Sequence, residues 1–538
     1  MATRRRYGYR VVFPQRFPAT GDASPAAHRP PPDAPATDTT KTKTLAASPR
    51  AMMTRQIALA LIGIIALLFL GWQSMHLNGP GTGYDEGVYL TSAQSLATGH
   101  APYKTLFFSK PPLFAVLLDG IGRVSGWHLG GYRLVMALCA LVTLLTAAAL
   151  AWRWRGPWAA VATATLLAIS PKFVFYARPL GSDAPVFTLM MLGLLAAVIA
   201  IERQSRRAWA IAGGAAIAAI GVKPNGGLII PIVIVGFVWW LWKQPRDAWL
   251  PAFLRALFSV TGAAPVLLLM LPFSLEPHAY TQSITYELSG RSAYPLDPAG
   301  NIRHIASFIW LDRGLVVLAA VGALLALRRP LSLVPVLLIA WLVIGGGFLV
   351  LHTPLFSHHI PALLPPLAIF AGVGLVALVE RVVASVVALR ARQPLDGWAW
   401  FASAFSALVL LGVVALVPHL ASINRASVRQ VRSASEQQFD AALRQYIPPG
   451  ALVITDDQFA VFHAHLPVGP WFADTSTYRI DSGYLTNAEA IAQTEAEQPA
   501  AIVIASDKFP RLKEYVAWVQ SRYDPVWSNG ARTIYRAR

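Results

Sequence analysis

Two adjacent carboxylates, Asp85 and Glu86, stand in Gly83-Tyr84-Asp85-Glu86-Gly87, just after the first long apolar run of the chain. A carboxylate within reach of a hydroxyl or amine proton can act as a general base. Ionisable groups at a membrane boundary are costly to bury, so an acidic pair there points to function. Acids between glycines are also ordinary loop tips, and it is the neighbours that favour the chemical reading. Downstream, Phe107-Phe108-Ser109-Lys110 leads into Pro111-Pro112-Leu113. Proline is preferred at the first turn of a helix, so the spacing predicts a helix over 111–124 with Lys110 at its mouth. A lysine beside the free N–H groups of a helix start suits a phosphate, although a lysine snorkelling to lipid headgroups has the same sequence.

The elements that must position these groups are apolar runs. A membrane span needs about 20 apolar residues. The candidates cover about 57–75, 131–151, 157–170, 184–201, 208–221, 226–242, 251–272, 314–327, 331–351, 360–380 and 399–419. Eleven such runs in succession would leave a soluble fold without amphipathic helices to cover them. The expected fold is therefore an all-α polytopic membrane protein with about eleven transmembrane helices. From about Ala421 the pattern changes. Ala451–Thr455 and Ala501–Ala505 suit short buried strands, and Asn487–Glu497 and Lys508–Arg522 have helical spacing. This segment, 421–538, reads as a small α/β domain without a phosphate loop, nucleophile elbow or metal cluster, suited to packing or acceptor binding.

Composition agrees with a membrane protein. Of 538 residues, 55% are hydrophobic and only 13% charged, yet the formal net charge is +18. The tail to Arg55 contributes about +7, and alternate short loops hold about 12 Lys or Arg in about 40 residues. The longer opposite loops hold about 9 in about 120. The basicity is thus a topology signal, with the N-terminus cytoplasmic and the 421–538 domain outside the cytoplasm, and it excludes a nucleic-acid binder. Residues 1–54, rich in Arg and Pro, read as a disordered cytoplasmic tail, with Met52 or Met53 as an alternative start. The single cysteine, Cys139, excludes a disulfide framework and a cysteine-based zinc site.

The order of a first span, an acidic pair, Gly99-His100-Ala101-Pro102-Tyr103, an aromatic pair and Lys110-Pro111-Pro112-Leu113 resembles the first outer loop of the GT-C glycosyltransferases, in the protein-mannosyltransferase and aminoarabinose-transferase group. Tyr176-Ala177-Arg178-Pro179-Leu180-Gly181-Ser182-Asp183 resembles the second outer loop of that group, where an acid precedes a span. His358-His359-Ile360-Pro361 followed by Leu364-Pro365-Pro366 is similar to a late family pattern in which an arginine often stands where this chain has histidines. The resemblance covers about 55–420.

It implies a GT-C-like membrane domain over 55–420 that moves a sugar from a polyprenyl-phosphate donor to a protein, lipid or glycan acceptor outside the cytoplasm, with inversion. It implies a catalytic group of Asp85 as base or acceptor orienter, supported by Glu86, with Asp183 completing an acidic cleft. Lys110 is the expected donor-phosphate ligand, and Arg178 either pairs with Asp183 or gives a second phosphate contact. His358, His359 and Lys223 are further phosphate candidates, with His352 beside the two histidines. Tyr84, Tyr89 and Tyr103 would contact sugar or acceptor, or serve as interfacial tyrosines. Glu287 and Arg291, four apart, read as a surface ion pair, with acceptor-side contacts as the alternative, and Asp119 and Arg123, likewise four apart, read as a solvated face. No organic cofactor is expected, while a divalent metal bridging Asp85 and Asp183 stays an open alternative. The partners are the lipid-linked donor, the acceptor and the surrounding lipids of a bacterial-type plasma membrane. A transporter or flippase is the competing class. It would place charged, broken-helix residues near the bilayer midplane and show internal repeats, whereas this chain gathers its suggestive groups on one face.

Overall fold

The computed structural model describes residues 49–538 apart from Thr82, Arg329 and Gln430. Most of the tail expected over 1–54 lies outside the described residues; its last stretch is already helical, because α1 runs Pro49–Gln73. After it come α2 (Tyr84–Ala97), α3 (Pro112–Ser125), α4 (Leu129–Arg155), α5 (Pro157–Ile169), α6 (Pro171–Tyr176) and α7 (Asp183–Arg203). Then follow α8 (Arg206–Val222), α9 (Ile229–Leu241), α10 (Trp249–Ala256), α11 (Ser259–Ser274) and the single-turn α12 (Tyr286–Ser289). The membrane part ends with α13 (Pro298–Trp310), α14 (Arg313–Leu327), α15 (Leu333–Leu351), α16 (Leu364–Arg390) and α17 (Gly397–Val428).

Each of the eleven apolar runs falls on a helix, but among the described residues eight are long and apolar enough to cross a membrane. The count becomes nine when α13 and α14, bent by 101°, are taken as one broken span. The difference from eleven lies in α5, α8 and α14. At 1.5 Å per residue, the 13 residues of α5 and 17 of α8 reach about 20 and 26 Å, short of the roughly 30 Å of hydrocarbon. Pro171 interrupts the ladder after α5, and Lys223-Pro224 ends α8. Both are walled in by neighbours: α5 packs on α4 and α16, and α8 on α7 and α11. Small residues permit these close crossings. A Cβ at Gly213 would overlap the Ser259 carbonyl of α11, and one at Gly372 would stand 2.8 Å from the Thr163 backbone nitrogen of α5. The α10–α11 span buries none of its apolar window inside the protein, and side chains such as Leu267 and Leu268 point outward as a lipid-facing surface.

The helices α2 and α3 lie between the first two spans, and α3 begins at Pro112 as its proline pair dictates. The C-terminal segment holds α18 (Ala434–Tyr446), β1 (Val453–Thr455), α19 (Gln458–His463), α20 (Thr477–Asp481), α21 (Asn487–Glu497), β2 (Ala501–Ile504), α22 (Lys513–Arg522), β3 (Tyr523–Ser528) and β4 (Thr533–Ala537). Its sheet has the order β1-β2-β4-β3, parallel between β1 and β2 and antiparallel elsewhere. The two anticipated strands are β1 and β2, the buried parallel pair. The β3–β4 hairpin is not foreshadowed by an apolar run, since β3 carries Asp524-Pro525 and is largely exposed. Helix α22 starts at Lys513 instead of Lys508, because Phe509-Pro510-Arg511 forms a 3-10 turn first. The segment is clamped onto the membrane part: α19 packs on α2, and a Cβ at Gly87 would stand 2.5 Å from the Phe459 backbone nitrogen.

Candidate active site

A cavity of about 470 Å³ opens where α2, the Lys110 turn, the start of α7, α12, the turn between α15 and α16 and the C-terminal segment meet. Its wall includes Tyr84, Asp85, Tyr89, Lys110, Asp183, Lys223, His358 and His359, residues from five separate stretches of sequence.

The two acids of the first motif are placed differently. Asp85 sits in the first turn of α2 with 52% of its side chain exposed, and its Oδ2 lies 3.8 Å from His358 Nδ1. Glu86 also borders the cavity, but its side chain is 1% exposed and held by Arg133, with Nε donating to Oε1 at 2.8 Å and Nη2 to Oε2 at 2.7 Å. The Leu180 N–H donates to the same Oε1. Arg133 spends its other donors on the carbonyls of Leu77, Gly79 and Pro80. Glu86 therefore fixes the loop after α1, the start of α2 and the turn before α7 to one guanidinium. Asp85 is the carboxylate of the pair that faces open space.

The cationic side is built from pairs. Lys110 Nζ donates to Glu287 Oε1 at 2.6 Å, and Lys223 Nζ to Asp183 Oδ1 at 2.7 Å. Burial works against the Lys110 charge, but Glu287 overcomes it and holds the ammonium well above its usual range. Burial also opposes the Glu287 carboxylate, yet Lys110, then Lys223 and Arg291, keep it below the usual carboxylate range. Arg291 lines the same wall. His352 is pushed down to about 4 by burial, then by Arg291 and Lys223, and is a neutral imidazole at ordinary pH. The rings of His352, His358 and His359 pack edge to face, with centroids 4.7 and 4.3 Å apart. The His352 and His359 Nδ1 atoms are sealed from solvent without a hydrogen-bond partner. Among the described residues, no group of three His, Cys, Asp or Glu side chains is arranged to hold a metal ion.

Two expected site residues lie outside this cavity. Arg178 donates to the His76 carbonyl at 2.7 Å and borders a small neighbouring pocket with Arg133, so the ion partner of Asp183 is Lys223 instead. Tyr103 is fully buried, and its hydroxyl donates to the Lys110 carbonyl, which fixes the lysine's backbone. Tyr84 lines the cavity, but its phenol is occupied: it accepts from the Thr475 N–H at 2.7 Å and donates toward Asp474. Burial, then Asp474, raises its pKa well above the usual range, and burial raises that of Tyr89. Glu287 pairs with Lys110 and not, as its spacing suggested, with Arg291; Asp119 and Arg123 do form a surface pair at 2.7 Å.

Asp474, Tyr478 and Lys508 of the C-terminal segment also line the cavity. Lys508 lies over the Tyr84 ring with Nζ 4.3 Å from its centroid. No motif marks these residues in the sequence. Arg133 did carry a signal, as a charge inside an otherwise apolar run.

Residues 109–273 match the family model of dolichyl-phosphate-mannose-protein mannosyltransferase. No curated protein sequence matches the chain significantly. Among solved structures, the chain is similar to ArnT from Cupriavidus metallidurans bound to undecaprenyl phosphate, with a TM-score of 0.58 and 17% identity over 91% of this chain and 98% of that one. The apo state of the same enzyme gives a TM-score of 0.59 with 16% identity, over 89% and 97% of the two chains. The oligosaccharyltransferase AglB from Archaeoglobus fulgidus, in complex with an inhibitory peptide and a dolichol-phosphate, gives 0.53 with 13% identity, over 90% and 74%. The matched segment contains Lys110, Asp183 and Lys223, and the shared fold extends over nearly the whole chain. Residues 109–273 thus resemble the protein-mannosyltransferase family, and nearly the whole chain has the fold of ArnT.

Proposed function

We propose that the protein transfers a sugar from a polyprenyl-phosphate-linked donor to an acceptor outside the cytoplasm, with inversion at the sugar carbon. The observation that carries this reading is one exposed carboxylate, Asp85, in the same cavity as Lys110, Lys223 and Arg291. The cations take the donor phosphate and stabilise it as a leaving group, where preorganised charge contributes most. Lys110 keeps two N–H donors free while it is paired with Glu287, so it can hold a phosphate oxygen as well. Asp85 removes the acceptor proton as the acceptor oxygen or nitrogen attacks the sugar carbon, and the carbon–phosphate-oxygen bond breaks. Asp183 holds Lys223 in place. Glu86 acts through Arg133 as a positioning residue for Asp85. The neutral histidine cluster borders the space next to Asp85 and offers contacts to sugar or phosphate.

A polyprenyl phosphate in this cavity is supported by the ArnT relative, whose structure has undecaprenyl phosphate bound. The division of labour follows the chain: a cytoplasmic tail over 1–54, the transferase domain over 55–420 and an extracytoplasmic segment over 421–538 that walls the acceptor side. The basic short loops support a cytoplasmic N-terminus in a bacterial-type plasma membrane. The test is transfer from a radiolabelled polyprenyl-phosphate sugar in proteoliposomes. Asp85→Asn is expected to lower the transfer rate by about 10²–10⁴-fold while donor binding persists. Undiminished transfer by that variant removes the base assignment.

A further inference from the structure

The leaving group of the reaction proposed above changes charge as it leaves. Joined to both lipid and sugar, the phosphate is a diester with one negative charge. When the bond to the sugar carbon breaks, that carbon joins the acceptor atom and the acceptor proton passes to Asp85. The lipid then carries a phosphomonoester, whose second ionisation near pH 6 takes it toward two negative charges. A wall of cations that holds the monoanion holds the dianion more tightly, so such a site retains its product unless something opposes the added charge.

Glu287 is placed to oppose it. Its Oε1 is 2.6 Å from the Lys110 ammonium, and it faces the same cavity as Lys223 and Arg291. Its backbone is pinned from the C-terminal segment, where the Tyr478 hydroxyl donates to the Glu287 carbonyl at 2.9 Å. That bond fixes the main chain beside Lys110, and the ion pair with Lys110 holds the carboxylate there. We infer that Glu287 is a specificity-determining residue that separates the lipid-phosphodiester donor from the lipid-phosphomonoester product by charge, sharing Lys110 with the first and repelling the second. The inference rests on the sugar-transfer reading and adds the basis of product release. Its carboxylate, held below the usual range by Lys110, Lys223 and Arg291 against the opposing effect of burial, stays ionised at pH 5, so a pH series titrates the ligand and not Glu287.

The test uses the full chain in detergent and two sugar-free probes, farnesyl phosphate and its methyl diester, with affinities measured by calorimetry at pH 8 and pH 5. Glu287→Gln is expected to tighten the monoester about tenfold more than the diester at pH 8. That preference should shrink at pH 5, where the monoester falls to one charge, and Glu287→Asp should keep the wild-type ratio. An unchanged ratio in Glu287→Gln overturns the inference, as does a preference that ignores pH. A parallel loss of both probes in Glu287→Gln and Glu287→Asp also overturns it, because Glu287 would then only hold Lys110 in place. A wild-type protein that binds neither probe overturns the sugar-transfer reading itself.

Discussion

Glu86 and Arg133, 47 positions apart, make a doubly bonded ion pair from which solvent is nearly absent, with side chains 1% and 2% exposed. Asp85, the preceding residue, points into the cavity with half its side chain open. Neighbours in sequence thus differ, one holding the frame and one facing the open cavity.

That contrast predicts two kinds of damage. Glu86→Gln leaves the Arg133 charge buried without its counter-ion, a change that costs about 3–5 kcal/mol. Thermal unfolding should show a clear loss of stability, and activity should fall by more than the loss of folded protein, because Asp85 loses its support. Asp85→Asn should leave the melting temperature within a degree or two of wild type while transfer collapses. A Glu86→Gln protein of normal stability would contradict this account.

Lys110 and Glu287 should behave as a coupled unit. Lys110→Met alone strands Glu287 in a largely buried position, whereas Lys110→Met with Glu287→Gln removes both charges. A double-mutant cycle read by thermal unfolding should give a coupling of about 1–3 kcal/mol. The double variant should regain stability and remain inactive.

Gly87 tests the clamp between α2 and the C-terminal segment. Gly87→Ala drives a methyl group against the Phe459 backbone, which cannot turn aside as a side-chain tip could. Overpacking of this kind costs about 1–3 kcal/mol. Limited proteolysis should cut the region after α17 faster than in wild type, and transfer should weaken although every charged residue of the cavity is intact.

His352 gives stability a pH dependence. Its folded pKa is lowered to about 4 by burial, then by Arg291 and Lys223, against an ordinary histidine value of 6.5. Below about 6.5 the unfolded chain binds a proton that the folded protein refuses, so stability is complete above that pH and is lost as pH falls toward 4. The shift corresponds to about 3 kcal/mol at most. Melting temperatures from pH 7 to 4 should fall more steeply for wild type than for His352→Gln.

The membrane helices were legible because apolar runs and proline punctuation act locally; Pro111-Pro112 starts α3 and Lys223-Pro224 closes α8. Asp85, Lys110, Asp183 and Lys223 could be placed together because the expected alternation of apolar runs assigned their loops to one side. Who pairs with whom was not legible. Lys110 finds Glu287 across 177 positions and Asp183 finds Lys223 across 40, contacts set by helix packing that no local pattern encodes. Spacing pointed to Arg291 for Glu287, yet the segment from Thr281 to Ala293 passes through π, α and 3-10 turns, so a four-residue interval there does not guarantee a shared face. Asp474, Tyr478 and Lys508 escaped notice because a small α/β segment advertises its strands and helices and not the surface it lends to another part of the chain.

That lent surface sets an order of assembly. Spans enter the bilayer from the amino end, and Asp85, Lys110 and Asp183 are in place long before Asp474, Tyr478 and Lys508 emerge. Until those late residues fold against α2, the Tyr84 hydroxyl lacks Thr475 and the cavity lacks a side. A ribosome-bound chain stalled after α17 would thus present an inserted but unwalled pocket. The cavity wall is completed only by residues made after α17.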